Sequence, residues 1–242
     1  MEQGIVLKPE VLGYLGILPV TNTLLVSWIV MVILVVVSIV STWRMRAVPS
    51  GMQNFMEMII EGSFGMAEDL AHSRAKVFFP WVMTFFLFII MANWVGLLPG
   101  TGTITFRGEP LFRSMSSDLN MTLSLALVSA VATHIFAIRY LGLLSYLKRW
   151  VSLEMFPVFL FVGFLEIISE FTKIVSLSFR LFGNIFAGEV VLATIAGIFA
   201  FVLPLPFYGL EIVVGFVQAA VFMMLTLVFM VLLSEKHGEA GH

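Results

Sequence analysis

Long apolar runs divided by short polar segments dominate this chain of 242 residues. Three of these runs, residues 24–43, 77–98 and 119–141, have about the 20 residues that a helix needs to cross a bilayer. Arg44 and Arg46 end the first run. Within each run the apolar residues are continuous rather than alternating, which excludes the strands of a transmembrane barrel. The pattern therefore predicts three membrane-spanning helices.

The segment 51–71 has a different pattern. Its apolar residues recur at helical spacing on one face, and its acidic residues lie on the opposite face. The apolar face comprises Met52, Phe55, Met56, Ile59, Met66 and Leu70, and the acidic face comprises Glu57, Glu61, Glu68 and Asp69. A helix with so many charges is too polar to cross the bilayer, so we expect an amphipathic helix along the membrane surface.

The remaining apolar region, residues 155–233, is too long for two simple spans. Gly197 is suited to end a helix, and Pro204 or Pro206 is suited to begin one. The expected elements are a long helix over 154–196 and a last helix over 204–233. A helix of about 40 residues is roughly 60 Å long, twice the hydrocarbon thickness, so it is expected to be strongly tilted in a long hairpin.

Composition places the chain in one class. It is 60% hydrophobic and only 12% charged, against about 25% charged residues in soluble domains, and its mean hydropathy is +1.05. We therefore predict an all-α polytopic membrane protein with a single membrane domain over 1–242, five membrane-embedded helices and one surface helix. The net charge of −2 gives no reason to expect nucleic acid as a partner, and cysteine is absent. The first twenty residues have no basic region before an apolar core, so no cleavable signal is expected.

Basic residues predict the orientation, because they concentrate on the cytoplasmic side of membrane proteins. With the N-terminus outside and five crossings, the C-terminus is cytoplasmic. Eight basic residues then face the cytoplasm, namely Arg44, Arg46, Arg74, Lys76, Arg139, Lys148, Arg149 and Lys236, while Lys8, Arg107 and Arg113 lie outside.

Arg180 lies inside the most apolar stretch of the chain, in the sequence Ser-Leu-Ser-Phe-Arg-Leu-Phe-Gly-Asn. A guanidinium at the bilayer centre costs roughly 2.5–3.5 kcal/mol, and it does not escape by losing its proton. Such a residue is a functional candidate by default. The helical period places it on one face with Glu166, Glu170, Lys173 and Asn184, beside the small residues Ser169, Ser176, Gly183 and Ala187.

Counting residues from a turn near residue 200 predicts which side chains of the last two helices lie at the same depth in the membrane. Glu189 and Glu211 are each eleven residues from it, so they are expected at the same depth, as a carboxylate pair. Arg180 and Gln218 are expected together at a second level, about 12–14 Å deeper along the helices. Carboxylates that lie close together and away from water can hold and release protons near neutral pH. The pair therefore suggests a proton path, and Arg180 suggests a gate.

The segment Arg-Leu-Phe-Gly-Asn-Ile-Phe-Ala-Gly-Glu, residues 180–189, resembles the signature of subunit a of F-type rotary ATP synthases. Gln218 with the following Ala-Ala-Val-Phe-Met-Met-Leu-Thr is similar to that family, as are residues 49–57 and the pair Asp118 and Asn120 before the third span. The resemblance covers nearly the whole chain.

The resemblance implies a stator subunit of the ATP synthase membrane sector, CF(0), beside a rotating c-subunit ring. Arg180 would displace protons from the ring carboxylates and block leakage between two aqueous half-channels. Glu189 and Glu211 match the half-channel open to the outside, and Asn184 and Gln218 match polar residues near the arginine. Glu166 and Glu170 match the region of the cytoplasmic half-channel. The secondary half-channel candidates are Glu166, Glu170, Asp118 and Ser176. Some members have a histidine in place of Glu189 or Glu211; both positions are Glu here, so a histidine-based relay is not expected.

The same resemblance implies the expected setting. The chain would be a non-catalytic proton-channel subunit in the bacterial inner membrane, with the c ring, the peripheral-stalk b subunits and the rest of the ATP synthase complex as partners. No cofactor or metal is expected. No Gly-rich phosphate loop occurs in the sequence, so no nucleotide is expected on this chain.

Several residues keep a structural alternative. Arg180 can form an ion pair with Glu170 or a lipid phosphate, and Glu189 and Glu211 can be protonated packing residues. Glu170 with Lys173 can be a solvated helix end, and Asp118 can be only the N-cap of the third span. His134, alone in an apolar helix, is expected to be a packed core residue, while His237 and His242 are weak metal candidates.

Two other functions are compatible with a membrane protein of this size. A stand-alone proton-coupled secondary transporter would use Glu189 and Glu211 as its proton sites, but such folds contain repeated halves with broken helices, and the sequence has no internal repeat. An intramembrane hydrolase or transferase would need a Ser/His, metal-ligand or Asp-rich group near one membrane face, and the sequence has none.

Overall fold

The computed structural model describes residues 9–43, 45–98, 104–106, 109–150, 158–198 and 203–235. These residues form seven α-helices: α1 (Asn22–Thr42), α2 (Met52–Ala71), α3 (Ala75–Gly96), α4 (Leu119–Leu141), α5 (Leu143–Trp150), α6 (Val158–Ile198) and α7 (Pro204–Ser234). Five helical stretches are long and apolar enough to cross a membrane, one of them being α2 and α3 taken together. The predicted all-α polytopic class is confirmed.

Part of the sequence-based description falls outside the described residues. This applies to positions 154–157 at the start of the expected long helix. It applies also to Lys8, Arg44, Arg107, Lys236, His237 and His242.

Two small hairpins and one short helix are additional to the predicted elements. β1 (Val11–Leu15) pairs antiparallel with β2 (Leu18–Thr21), and β3 (Thr105–Phe106) pairs with β4 (Glu109–Pro110). Strands of two to five residues are too short to show a periodic pattern, which is why the sequence does not predict them. The helix α5 follows α4 after Gly142, whose φ of 79° breaks the helix and favours glycine.

The helices α3 and α7 form the centre of the bundle. Phe78 and Ile89 of α3 and Phe222 and Met230 of α7 are fully buried, and Phe85 contacts the ring of Phe222. Between helices in a bilayer, the driving force is close packing rather than removal of apolar surface from water. Interlocking aromatic and aliphatic side chains therefore fix α7 at the centre, where it forms one wall of the candidate site.

The helix α6 is, together with α1, the least enclosed of the long helices. Of the apolar window of α6, 22% is buried, against 44% for α7. The side of α6 that faces the bundle contains Leu177, Leu181 and Ile185, which are buried. Their spacing of four residues places them in one row along the helix. The opposite face of α6 therefore lacks a covering helix within the described part of the chain.

Candidate functional site

Arg180 projects from the uncovered face of α6. Its side chain is exposed, and among the residues that the structure describes it makes no hydrogen bond or ion pair. The other side of the same helix turn is anchored, because Ser178 Oγ lies 3.1 Å from Thr122 Oγ1 of α4. Burial of Leu181 and the Ser178 contact set the rotation of α6, and this rotation directs Arg180 outward.

A cavity of about 400 Å³ extends from Arg180 along α6 toward its N-terminal half. We name it the Lys173 cavity. Its polar lining comprises Ser169, Thr172, Lys173, Ser176 and Arg180, and Leu225 and Phe229 of α7 are part of its wall. Ser176 is thus placed on this cavity, one helical turn from Arg180.

A second cavity of about 410 Å³ begins at Asn184 and continues toward the C-terminal end of α6. We name it the Glu211 groove, and its lining includes Gly188 and Val191 of α6 and Glu211 of α7. Neither cavity has Leu181, Phe182 or Gly183 in its lining. The two cavities therefore occupy different lengths of the α6–α7 surface, with Arg180 at the end of one and Asn184 at the end of the other.

Gln218 binds Asn184 between these two cavities. The Asn184 Nδ2 donates to Gln218 Oε1 at 2.8 Å, whereas the depth count from the sequence placed Gln218 level with Arg180. Gln218 is only 3% exposed, and its Nε2 has no partner among the described residues. An unpaired buried N–H costs about 1–3 kcal/mol, so this amide is an available donor at the boundary between the cavities.

Glu211 and Gly188 are in direct contact. A β-carbon added to Gly188 would collide with the carboxyl group of Glu211, so a larger residue there requires this carboxyl group to move from its present position. Glu211 is 6% exposed, and Glu189, the neighbour of Gly188, is near enough to interact electrostatically with it. The structure thus brings together the two carboxylates that the residue count placed at the same depth.

Residues of the loop before α4 complete this group. The Ser117 side chain and the Ser114 backbone lie beside the Glu189 carboxyl group, and Arg113 attracts it electrostatically. Arg113 Nε also donates to Ser117 Oγ at 3.1 Å. We call Glu189, Glu211, Arg113 and Ser117 the carboxylate cluster. From the sequence, Arg113 is predicted only as a charge on the outside, because the path of a loop is not encoded in helical periodicity.

Asn93 fixes this loop against α7. Ser116 Oγ donates to Asn93 Oδ1 at 2.6 Å, and Asn93 Nδ2 donates to the Gly215 carbonyl at 3.2 Å. Trp94 Nε1 donates to the Ile212 carbonyl at 3.2 Å. These cross-links join α3, α7 and the loop beside Glu211, in surroundings where an unsatisfied polar group is expensive. The cluster therefore has rigid walls.

Asp118 caps a helix, as its structural alternative proposed. Its Oδ1 accepts from the Asn120 N–H at 2.9 Å at the start of α4, and its Oδ2 accepts from Thr23 Oγ1 at 2.9 Å. The second bond ties α4 to α1. Asp118 is thus engaged by backbone and hydroxyl donors outside the carboxylate cluster.

The remaining candidates lie on the first half of α6. Lys173 Nζ donates to Glu170 Oε1 at 2.6 Å, and Glu170 is only 13% exposed, so this pair is more enclosed than a solvated helix end. Glu166 is half-buried and has a partner. His134 lies 3.9 Å from Glu170. Among the described residues, no group of three or more metal-ligating side chains occurs.

Comparison with known proteins identifies the family. The family model described as "ATP synthase A chain" matches residues 24–231. The "ATP synthase subunit a" of Geobacter sp. (strain M21) is 37% identical over 209 residues, covering 84% of this chain and 83% of the relative. The protein of the same name from Geotalea daltonii is 34% identical over 218 residues, covering 89% and 87%. The "ATP synthase subunit a 1" of Pelobacter propionicus is 33% identical over 205 residues, covering 84% and 83%. The chain therefore belongs to the ATP synthase A chain family, as its resemblance to subunit a predicted.

Proposed function

We propose that this chain is the ion-translocating stator subunit of the ATP synthase membrane sector and that it works against a ring of c subunits. Protons reach the ring carboxylates through one half-channel and leave through another. Arg180 prevents direct passage between the two. Proton flow then drives ring rotation and ATP synthesis elsewhere in the complex, and this chain itself catalyses no bond chemistry.

The observation that carries the proposal is the position of the two cavities relative to Arg180. The Lys173 cavity and the Glu211 groove have similar volumes and lie on opposite sides of the Arg180–Asn184 turn. Each has room for several water molecules, which occupy about 30 Å³ each in the liquid. Two aqueous paths that end on either side of one permanent charge are the arrangement that a rotary ion path requires.

Arg180 acts as the element that forces proton release. At 4 Å, opposite charges attract by about 4 kcal/mol when the effective dielectric constant is near 20. A ring carboxylate arriving beside Arg180 is therefore held in its ionised form, and its proton leaves before the contact is made. The same positive charge repels hydrated cations that would pass directly between the cavities. Arg180 serves both purposes because a guanidinium keeps its own proton.

The carboxylate cluster serves as the half-channel open to the outside. Glu189 and Glu211 exchange protons with water and with each other, while Arg113 and Ser117 hold Glu189 in place. Asn184 and Gln218 form the boundary next to Arg180. On the other side, the Lys173 cavity with Ser176, Glu166 and Glu170 serves as the cytoplasmic half-channel.

The proposed setting follows from family membership and from the distribution of basic residues. The chain lies in the bacterial inner membrane with the N-terminus outside and the C-terminus in the cytoplasm. Its uncovered α6 face meets the c ring, and the peripheral-stalk b subunits hold the chain against rotation. A neighbouring ring supplies the partner that Arg180 does not have among the described residues.

The test is ATP-driven proton pumping by the whole complex in proteoliposomes that contain Arg180→Ala. We expect the complex to assemble normally. Proton pumping should fall to the background level, a loss of at least about 100-fold, because Arg180 acts on every ring carboxylate that passes. Arg139→Ala is the matched control, since Arg139 is an exposed cation on α4. Normal pumping by the Arg180→Ala complex would overturn the proposal.

A further inference from the structure

A line of four polar side chains crosses three helices beside the Lys173 cavity. The Tyr146 hydroxyl of α5 lies 2.8 Å from His134 Nδ1 of α4, and His134 Nε2 lies 3.9 Å from Glu170 Oε2 of α6. Glu170 Oε1 accepts from Lys173 Nζ at 2.6 Å, and Lys173 lines the same cavity as Arg180. We call these four residues the His134 chain. It leads from α5 to the cavity at Arg180.

The placement of His134 differs from that of a packed core residue. Its side chain is 29% exposed, and both ring nitrogens face polar groups. Its helix is followed at once by Gly142 and α5, and that break returns Tyr146 to the ring. The geometry that pairs Tyr146 with His134 thus depends on a turn that the apolar pattern of α4 does not reveal.

Tyr146 is a suitable partner for a ring that changes its protonation state. A phenolic hydroxyl can donate to a bare Nδ1 or accept from a protonated one, so the contact survives when the ring gains a proton. Imidazole is also the one side chain whose ordinary titration lies between about pH 5 and pH 8. His134 can therefore accept and release protons without a rearrangement of α4 and α5.

Charged groups of both signs lie near the ring in the described part of the chain. From α6, Glu170 and Lys173 form a neutral pair beside it, and Glu166 lies one turn earlier. On the helix of His134 itself, Arg139 lies five residues after the ring. On α7, the uncharged Phe229 lies beside Lys173, with its ring centre 4.9 Å from Lys173 Nζ. The side chains at 148–150 lie outside the described part. The Glu170 carboxylate is thus the acidic group of α6 that faces His134 Nε2.

We infer that His134 is a proton-transfer residue on the cytoplasmic half-channel side, moving protons between water near Tyr146 and the Lys173 cavity. A proton that arrives at Nδ1 through the Tyr146 hydroxyl is matched by one that leaves Nε2 toward Glu170. One N–H bond forms and one breaks, and the ring is neutral again. Because 3.9 Å exceeds a hydrogen-bond length, a bridging water or a small ring rotation completes the second transfer. This inference rests on the proposed function.

The experiment measures ATP-driven pumping in inverted membrane vesicles, where the bath pH is the pH at the face that takes up protons. The variants are His134→Gln and Tyr146→Phe, with His72→Gln as the control. His72 is an exposed histidine at the junction of α2 and α3 and belongs to no part of the His134 chain. Complex content and ATP hydrolysis in each membrane preparation report assembly.

We expect a deficit that depends on pH. At pH 8, where free protons are scarce, His134→Gln should pump about three- to tenfold more slowly than the parent, since transfer groups contribute factors of ten or more. At pH 6 the two should differ by less than about twofold, because free protons are then abundant and the relay adds little. Tyr146→Phe should show a smaller deficit with the same pH trend, and His72→Gln should match the parent.

Two outcomes would overturn the inference on its own. The first is a His134→Gln complex that pumps as fast as the parent at both pH values. The second is a loss of equal size at pH 6 and pH 8, which is the result expected of a packing residue. The Arg180→Ala complex separates these from failure of the proposed function. If Arg180→Ala pumps normally, both proposals fall. If Arg180→Ala is inactive and His134→Gln behaves as the parent, only the role of His134 falls.

Discussion

Two regions of α6 differ in the partners that this chain supplies for their charged residues. Around Glu189, the chain supplies partners from the loop before α4 and places Glu211 alongside. Around Arg180, two and a half turns earlier, the described chain supplies none. A charge in the bilayer is costly in either place. Under the proposed function, the difference separates the elements that this chain completes by itself from Arg180, whose partner belongs to the c ring.

The helices and the loop around the carboxylate cluster are held together by hydrogen bonds through Asn93. Asn93 accepts from Ser116 and donates to the Gly215 carbonyl, and each such bond prevents a loss of about 1–3 kcal/mol for an unpaired group. Arg180 has no such restraint, and Ser178 and Leu181 hold only its helix. A fixed path that ends at an unpaired charge suits a partner that moves past it.

Gly188→Ala is the substitution that we expect to disturb the carboxylate cluster most. The added β-carbon would collide with the Glu211 carboxyl group, so α6 and α7 must separate or Glu211 must leave its place. We expect ATP-driven pumping to fall by more than about tenfold, that is, by more than in Glu211→Gln, since the variant displaces the Glu211 carboxyl group and also disturbs the packing of α6 on α7. Proteoliposomes with the purified complex provide the measurement.

Gly209→Ala is the matched control for this variant. Gly209 lies on α7 two residues before Glu211, and an added β-carbon meets nothing within 4 Å. Both changes raise helix propensity equally, so a deficit confined to position 188 reports the collision. Shortening the carboxylate with Glu211→Asp should restore part of the pumping in Gly188→Ala. Equal pumping by the Gly188→Ala and Gly209→Ala complexes would contradict the packing described here.

Glu211→Gln compares the two regions directly. The substitution keeps the shape of the side chain and removes its proton exchange, while Glu189 remains beside it to take over part of the transfer. We expect pumping to fall by about tenfold, which is less than the loss for Arg180→Ala. The double variant Glu189→Gln with Glu211→Gln should lose far more than the product of the single losses, because each residue substitutes for the other. If Glu211→Gln alone abolished pumping, Arg180 would not be the single indispensable element.

The sequence predicts the membrane helices and the depths of their polar residues, but not which side chains contact each other across the helices. Runs of about 20 apolar residues identify helices because a bilayer requires internal backbone hydrogen bonding. Counting from the turn brought Glu189 and Glu211 together. It did not give the partner of Gln218, which binds Asn184, one helical turn from Arg180, since a residue count gives depth only to about one turn and no lateral contact.

Contacts made by loops and breaks are less accessible from a sequence. The position of Arg113 depends on the 3₁₀ turn at residues 115–117 and on Asn93, and neither is visible in the apolar pattern. Tyr146 reaches His134 because Gly142 changes the chain direction. In both cases a polar side chain was visible, but its partner was separated from it by a turn of unknown path.

The mildest test of the comparison is Arg113→Gln. Arg113 donates to Ser117 and attracts Glu189, so its loss weakens the restraint on one carboxylate while leaving both carboxylates present. We expect pumping to fall by about two- to fivefold, in line with the modest energies of partly exposed ion pairs. Arg139→Gln, at the opposite end of α4, is the control.

A double-variant cycle with Glu189→Gln decides how Arg113 acts. If Arg113 works by holding Glu189, adding Arg113→Gln to Glu189→Gln produces no further loss, because the group it restrains no longer carries a charge. If the two losses multiply, Arg113 has a separate effect on the outside entrance, and the carboxylate cluster is not one unit. The comparison with Arg180 would then rest on Glu211 and Gly188 alone, because their contact does not depend on the loop.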